Sequence, residues 1–198
     1  MPTKSFFNLE DEKKNVLLRS AICEFSLLPY DKVSVFKIAK NAGISRSAFY
    51  YYFKDKEDIY HYIVGLVFEK LAGQLKETKE QNDVFTLGMA FFTQAAKLKG
   101  TEWEALVQQL IANMKSNDAA KLLRQMEACA AQTYFSYLKG GLENLNISSE
   151  TDFLELSFLL ISSVIYALRS YLMEGESFSA AEGKLERMFE MIRHGVLK

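Results

Sequence analysis

VFKIAKNAGISRSAFYYYF, residues 35–53, has the residue types of two short helices joined by a tight turn, each at the place the geometry requires. Ser34 is placed to cap a helix running to Ala42, and Ser45 to cap a second helix ending near Tyr52. Ala39 is small where two such helices cross closely. Four residues on, Gly43 can take the positive φ that a three- to four-residue turn needs. Ile38, Ala42, Ile44 and Phe49 are apolar where packing must set the angle between the helices. This spacing describes a helix-turn-helix.

At 100° per residue, Phe49, Tyr52 and Phe53 share one side of the second helix and can anchor it. Arg46, Ser47, Tyr50 and Tyr51 fall on the other side. A cation, a small hydroxyl and two phenols make a face that can dock in a major groove. Arg46 can bond a guanine edge or a phosphate. Ser45 lies at the same end, and Ser47 is short enough to let the backbone approach. Tyr50 and Tyr51 can donate hydroxyls to phosphates and lay their rings on thymine methyls. Simple packing is the competing reading for the three tyrosines, and it suits Tyr52 best. Lys56 begins the next helix, where a cation opposes the helix dipole unless an anion is present, so it reads as a clamp on a phosphate. Ser34 would bracket the groove from the other side, its neighbouring amides facing the backbone.

Charge supports this placement. Residues 32–56 hold six cations (Lys32, Lys37, Lys40, Arg46, Lys54, Lys56) against the single acid Asp55, in a chain whose net charge is −1. A basic segment in a neutral protein provides local phosphate attraction without making the whole molecule a polyanion binder. An ordinary solvated face is the alternative.

Outward from the motif, residues 10–27 carry an apolar stripe of Val16, Leu17, Ala21, Ile22 and Phe25, a first helix stopped by Pro29. Asp55 followed by Asp58 resembles a capping box opening a long helix from Lys56 to about Thr78. Further helices are expected at about 84–98, 102–115, 118–141, 150–174 and 179–196, separated by Gly, Asn and Ser breaks. With two prolines in 198 residues, the expected class is all-α, with about nine helices. The division drawn from sequence is a helix-turn-helix domain at 1–55 and a ligand-sensing, dimer-forming body at 56–198.

From about Lys14 to Val64 the chain resembles the N-terminal domain of the TetR/AcrR family of transcription regulators. The resemblance rests on Ile22 to Phe25, Tyr30-Asp31, Val33 to Val35, Ile38 to Ser45 and Phe49 to Glu57, and covers roughly a quarter of the chain. Pro29 stands where the family usually has glycine, and Ala48 where threonine is frequent. The second departure removes a hydroxyl that could contact DNA. The resemblance implies a homodimer on a palindromic operator of double-stranded DNA, usually a repressor, released when a small molecule in the C-terminal domain re-spaces the two heads. Two heads must sit about 34–36 Å apart to enter successive turns of one groove face.

The body resembles no particular subgroup. Met89, Phe92, Trp103, Leu106, Gln109, Ile111, Met114, Met126, Tyr134, Phe158, Ser162 and Tyr166 could line a pocket for a small hydrophobic or aromatic ligand, although an equal set fills any helical core. Leu156, Leu159, Leu160, Ser163, Ile165 and Ala167 on one helix, with Met188, Met191 and Ile192 on the last, read as a dimer face of four helices, with plain core as the alternative. No cofactor or metal is expected, since His61 and His194 stand apart without ligand spacing. Cys23 and Cys129 read as packing residues. Residues 1–14 are polar with no apolar leader, and residues 153–168 fall short of a membrane span, so a cytoplasmic location is expected. No nucleophile with a base, phosphate loop or paired carboxylates speaks for an enzyme.

Overall fold

The computed structural model describes residues 2–75, 83–113, 145 and 149–196. Among these residues it contains nine α-helices and no β-strand. The helices are α1 (Lys4–Phe7), α2 (Asp11–Leu27), α3 (Val35–Asn41), α4 (Arg46–Tyr52), α5 (Lys56–Leu75), α6 (Val84–Ala96), α7 (Glu104–Asn113), α8 (Glu150–Leu172) and α9 (Phe178–Val196). The helix expected at 118–141 lies outside the described residues. By contrast, α1 has no counterpart in the sequence reading, because four residues are too few to show a period. The chain divides into two compact units: Met1–Val67 with Ala105–Asn113, and Phe68–Glu104 with Met114–Lys198.

In the first unit α2 packs on α3, α3 on α4, and α1 on α4. Its interior is built from Leu17, Ala21 and Phe25 of α2, Ile38 and Ala39 of α3, Phe49 and Phe53 at α4, and Ile59 and Ile63 of α5. Phe6, from a segment that reads as polar, is fully buried there. Val16, placed in the buried stripe by spacing, is exposed, and so is Cys23, which is therefore no packing residue. Ser20 fastens α2 to α3 by donating to the Ile38 carbonyl at 2.8 Å inside the interior. There a buried hydroxyl without a partner would be costly.

In the second unit α8 packs on α6 and α9, and α9 on α6. Leu156, Leu160, Val164, Ala167, Leu168 and Leu172 of α8 meet Val84, Phe85, Phe92 and Ala95 of α6 and Ala181, Leu185 and Phe189 of α9 in the unit's interior. Gly88 allows the closest approach: a Cβ there would lie 2.6 Å from Cζ of Phe189. Asp83 caps α6 through the Thr86 amide at 3.0 Å and also pairs with Arg193 of α9 at 3.4 Å. The Arg193 guanidinium rests 4.7 Å from the Phe85 ring centre. Over Glu155–Leu172, α8 is long and apolar enough to cross a membrane, contrary to the shorter window read from sequence. Its apolarity has an interior use, since half of that window is buried in the unit.

Candidate nucleic-acid interface

Gly43 closes the turn between α3 and α4 at φ 69°, with the Ile44 amide donating to the Ala39 carbonyl at 3.0 Å. A residue with a Cβ would be strained in this conformation. Seven residues are too few for a helix to hold by itself, so α4 depends on its ends and its buried face. At the first end Ser45 Oγ accepts from the Ala48 amide at 3.0 Å and lies 2.8 Å from Ser47 Oγ. Along the inner face, Phe49 and the Phe53 that follows the helix are completely buried. These anchors fix which way the remaining side chains point.

Arg46, Ser47, Tyr50 and Tyr51 are exposed, Tyr51 by 66%. Tyr52 is half-buried, between the two arrangements considered for the tyrosines. The Arg46 guanidinium lies 5.8 Å from the Tyr50 ring centre, one turn along, so cation and phenol form a single patch. Lys37 and Lys40 of α3 are exposed as well, as is Phe36, an apolar side chain at 61% exposure that charge patterning alone did not single out. The face can offer charge, hydroxyl donors and aromatic surface to a polyanion that also carries methyl groups.

Two residues differ from their sequence reading. Ser34 occupies the N-cap position of α3, but its side chain makes no capping hydrogen bond. Lys56 begins α5, where its ammonium was expected to meet a phosphate. Instead it donates to the Tyr30 carbonyl at 2.8 Å and the Val33 carbonyl at 3.3 Å, and stands 4.5 Å from the Tyr30 ring centre. Burial, followed by the charges of Glu57, Asp55 and Asp31, holds the Tyr30 phenol above its usual pKa, so the ring under the ammonium stays neutral. Lys56 thus joins the start of α5 to the connection that leads into α3. The Asp55–Asp58 pair is the cap anticipated from sequence: the Asp58 amide donates to Asp55 Oδ1 at 2.9 Å, and Asp58 Oδ2 accepts from the Lys54 amide at 3.0 Å.

The residues proposed for a pocket fall in both units and partly outside the described residues. Phe92 is core, stacked on Phe178 with ring centres 5.4 Å apart. Met89, Phe158 and Ser162 are half-buried and Tyr166 is about half exposed, all in the second unit. Trp103 carries the Lys70 ammonium 5.5 Å from its ring. Leu106, fully buried, and Gln109 and Ile111 belong to the first unit, whereas Met114, Met126, Tyr134 and Cys129 lie outside the described residues. The dimer stripe on α8 needs correcting. Leu156, Leu160, Ser163 and Ala167 are buried in their own unit, because an apolar stripe at helical spacing serves the interior first. Among the described residues of α8, Leu159 and Tyr166 are exposed apolar side chains, as is Met173 just after it, and on α9 Met191 is exposed while Met188 and Ile192 are half-buried. His61 and His194 each face a glutamate one turn earlier, Glu57 at 3.7 Å and Glu190 at 4.0 Å.

A first unit that presents a capped, aromatic and basic helix after a glycine turn has the form of a helix-turn-helix domain. Residues 17–63 match the sequence profile described as bacterial regulatory proteins, tetR family. Taken over the whole chain, the fold is similar to that of several solved structures. A TetR family transcriptional regulator from Chloroflexus aurantiacus aligns over 100% of this chain and 99% of its own, at 22% identity and TM-score 0.54. SmeT, the repressor of the Stenotrophomonas maltophilia multidrug efflux pump SmeDEF, aligns over 98% and 93%, at 15% identity and TM-score 0.60. The transcriptional regulator FadR from Bacillus subtilis, solved with stearoyl-CoA, aligns over 90% and 97%, at 18% identity and TM-score 0.61. At these identities the likeness is one of fold. No curated protein sequence matches the chain.

Proposed function

We propose that the chain is a ligand-responsive transcriptional repressor that binds a palindromic operator as a homodimer, with α4 in the major groove. The observation that carries the reading is the orientation of α4. Phe49 and Phe53 are buried to the last atom, leaving Arg46, Ser47, Tyr50 and Tyr51 outward beside the exposed Lys37 and Lys40. Arg46 and the tyrosines contact bases and phosphates, Ser45 and Ser47 lie against the backbone, and Ser34 stands at the entry of α3. Lys56 acts through the Tyr30 and Val33 carbonyls as a positioning residue. Dimerisation uses the outer faces of α8 and α9, with Leu159, Tyr166 and Met191 at its centre, because these large apolar side chains remain about half exposed or more. Repression is supported by the similarity to SmeT, and a ligand with an apolar part by the similarity to FadR, which was solved with stearoyl-CoA, a molecule with a long acyl chain.

The test is selection of duplexes from a randomised library by the full chain, followed by affinity measurements on the enriched sequence. A palindrome is expected. Arg46→Ala should relax the preference at one position of each half-site by about 1–3 kcal/mol. Enrichment of no sequence, or an Arg46→Ala variant with unchanged preference at every position, would overturn the assignment of the reading face.

A further inference from the structure

α4 is fastened at its second end by a segment that the sequence reading passed over. The last carbonyls of any α-helix lack partners within the helix, and in a helix of seven residues they are more than half of the total. Here the Phe49 carbonyl receives the Phe53 amide at 2.9 Å. The carbonyls of Tyr51 and Tyr52 both receive Thr3: its hydroxyl donates to Tyr51 O and its amide to Tyr52 O, each at 2.9 Å. Thr3 is the N-cap residue of α1, where a threonine hydroxyl ordinarily accepts from its own helix, yet it makes no such bond. The hydroxyl is directed at α4 instead.

The position of Thr3 is itself held. Its carbonyl accepts from the Phe6 amide at 3.1 Å. Phe6 is fully buried against Phe53, with ring centres 4.8 Å apart, and against Tyr62 of α5 at 5.2 Å. Pro2 is buried too. One short helix therefore joins the end of α4 to α5 by an aromatic cluster and two hydrogen bonds. Those bonds fall on residues 51 and 52, on the same turn as the exposed Tyr50 and Tyr51.

We propose that residues 2–7 form a clasp that positions the recognition helix, with Thr3 the residue that keeps the last turn of α4, and so Tyr50 and Tyr51, in DNA-reading geometry. The proposal rests on the DNA-binding reading above. Without the Thr3 hydroxyl the final turn frays, and the tyrosines must be ordered when the operator binds. The tyrosine contacts that need that turn weaken on the enriched duplex, while the ionic attraction of Lys37, Lys40 and Arg46 to any duplex, which sets the salt dependence, does not.

The test uses the full chain, the duplex enriched from a randomised library by the wild type, and a scrambled duplex of the same composition. Thr3→Val keeps the shape and removes the hydroxyl, and Thr3→Ser restores it. Thr3→Val is expected to weaken binding to the enriched duplex by about 3- to 10-fold, the range of one hydrogen bond. Binding to the scrambled duplex and the salt dependence should stay at wild-type values, amide exchange at Tyr51 and Tyr52 should quicken, and Thr3→Ser should recover both. A merely structural role would lower the melting temperature and leave the ratio of the two affinities unchanged. The clasp is refuted if Thr3→Val keeps wild-type affinity for the enriched duplex, or loses affinity for both duplexes equally. If the wild type enriches no duplex, the DNA-binding reading fails first and the clasp falls with it.

Discussion

Replacing Lys56 by methionine separates two roles that a lysine at the start of a helix can have. In the structure its ammonium donates to the Tyr30 carbonyl at 2.8 Å, a good charge-assisted distance, and to the Val33 carbonyl at 3.3 Å, near the limit of a useful bond. It also stands 4.5 Å from the Tyr30 ring centre. A hydrogen bond to a charged group contributes about 1.5–3 kcal/mol when well shielded. Lys56 is only half-buried, so its contacts together are worth about 1–2 kcal/mol after solvent screening. Methionine keeps most of the stem and loses all of these contacts. In a domain of this size, where 1 kcal/mol moves the midpoint by about 4–8 °C, the first unit should melt several degrees lower. Calorimetry measures that shift, and affinity for the enriched duplex across a salt series measures phosphate contacts. With the ammonium engaged internally, the slope of log affinity against log salt should match the wild type. A Lys56→Met chain with wild-type melting and a slope reduced by about 0.9 would refute the reasoning, since that is the signature of one lost phosphate contact.

Ser45→Asp should keep the cap on α4 and the melting temperature, because aspartate accepts from the Ala48 amide as serine does, but lose DNA affinity by placing a negative charge against the phosphates. Ser45→Asn, a neutral cap, should bind nearly as the wild type; equal affinity of the two variants would place Ser45 away from DNA. Gly88→Ala should destabilise the second unit by about 1–2 kcal/mol in denaturant unfolding, since forcing a methyl to 2.6 Å from the Phe189 ring outweighs the roughly 1 kcal/mol gained in helix propensity. Adding Phe189→Leu should recover part of the loss, and a Gly88→Ala chain more stable than the wild type would show that α6 and α9 do not approach as described. Leu159→Glu should raise the dimer dissociation constant at least about tenfold in sedimentation while leaving the helical signal intact. Leu160→Glu, one residue on, should unfold the second unit, and the reverse pattern would show that the buried stripe faces a partner.

Residues 35–53 made the helix-turn-helix legible because every requirement there is local. A cap, a glycine at positive φ and an apolar residue every three or four positions act within a few residues of one another. Ser45 at its cap and the outward set of Arg46, Ser47, Tyr50 and Tyr51 follow from 100° per residue once Phe49 and Phe53 are known to face inward. What depended on distant neighbours was not legible. Phe6 reads as an isolated aromatic in a polar segment, and only the packing of Phe53 and Tyr62 makes it core. Thr3 meets α4 across 48 residues of chain. Lys56 finds carbonyls 23 and 26 residues away, which no pattern around residue 56 reveals. On α8, the stripe read from sequence mixed the buried Leu156, Leu160, Ser163 and Ala167 with the exposed Leu159, and a period cannot say whether an apolar side meets its own chain or another. By itself the sequence determined the class of fold and the face of α4, since both are set by the order of residues along a helix. The tertiary structure decided which groups hold that face in place and which residues of α8 stay exposed, because both depend on what long-range folding brings alongside.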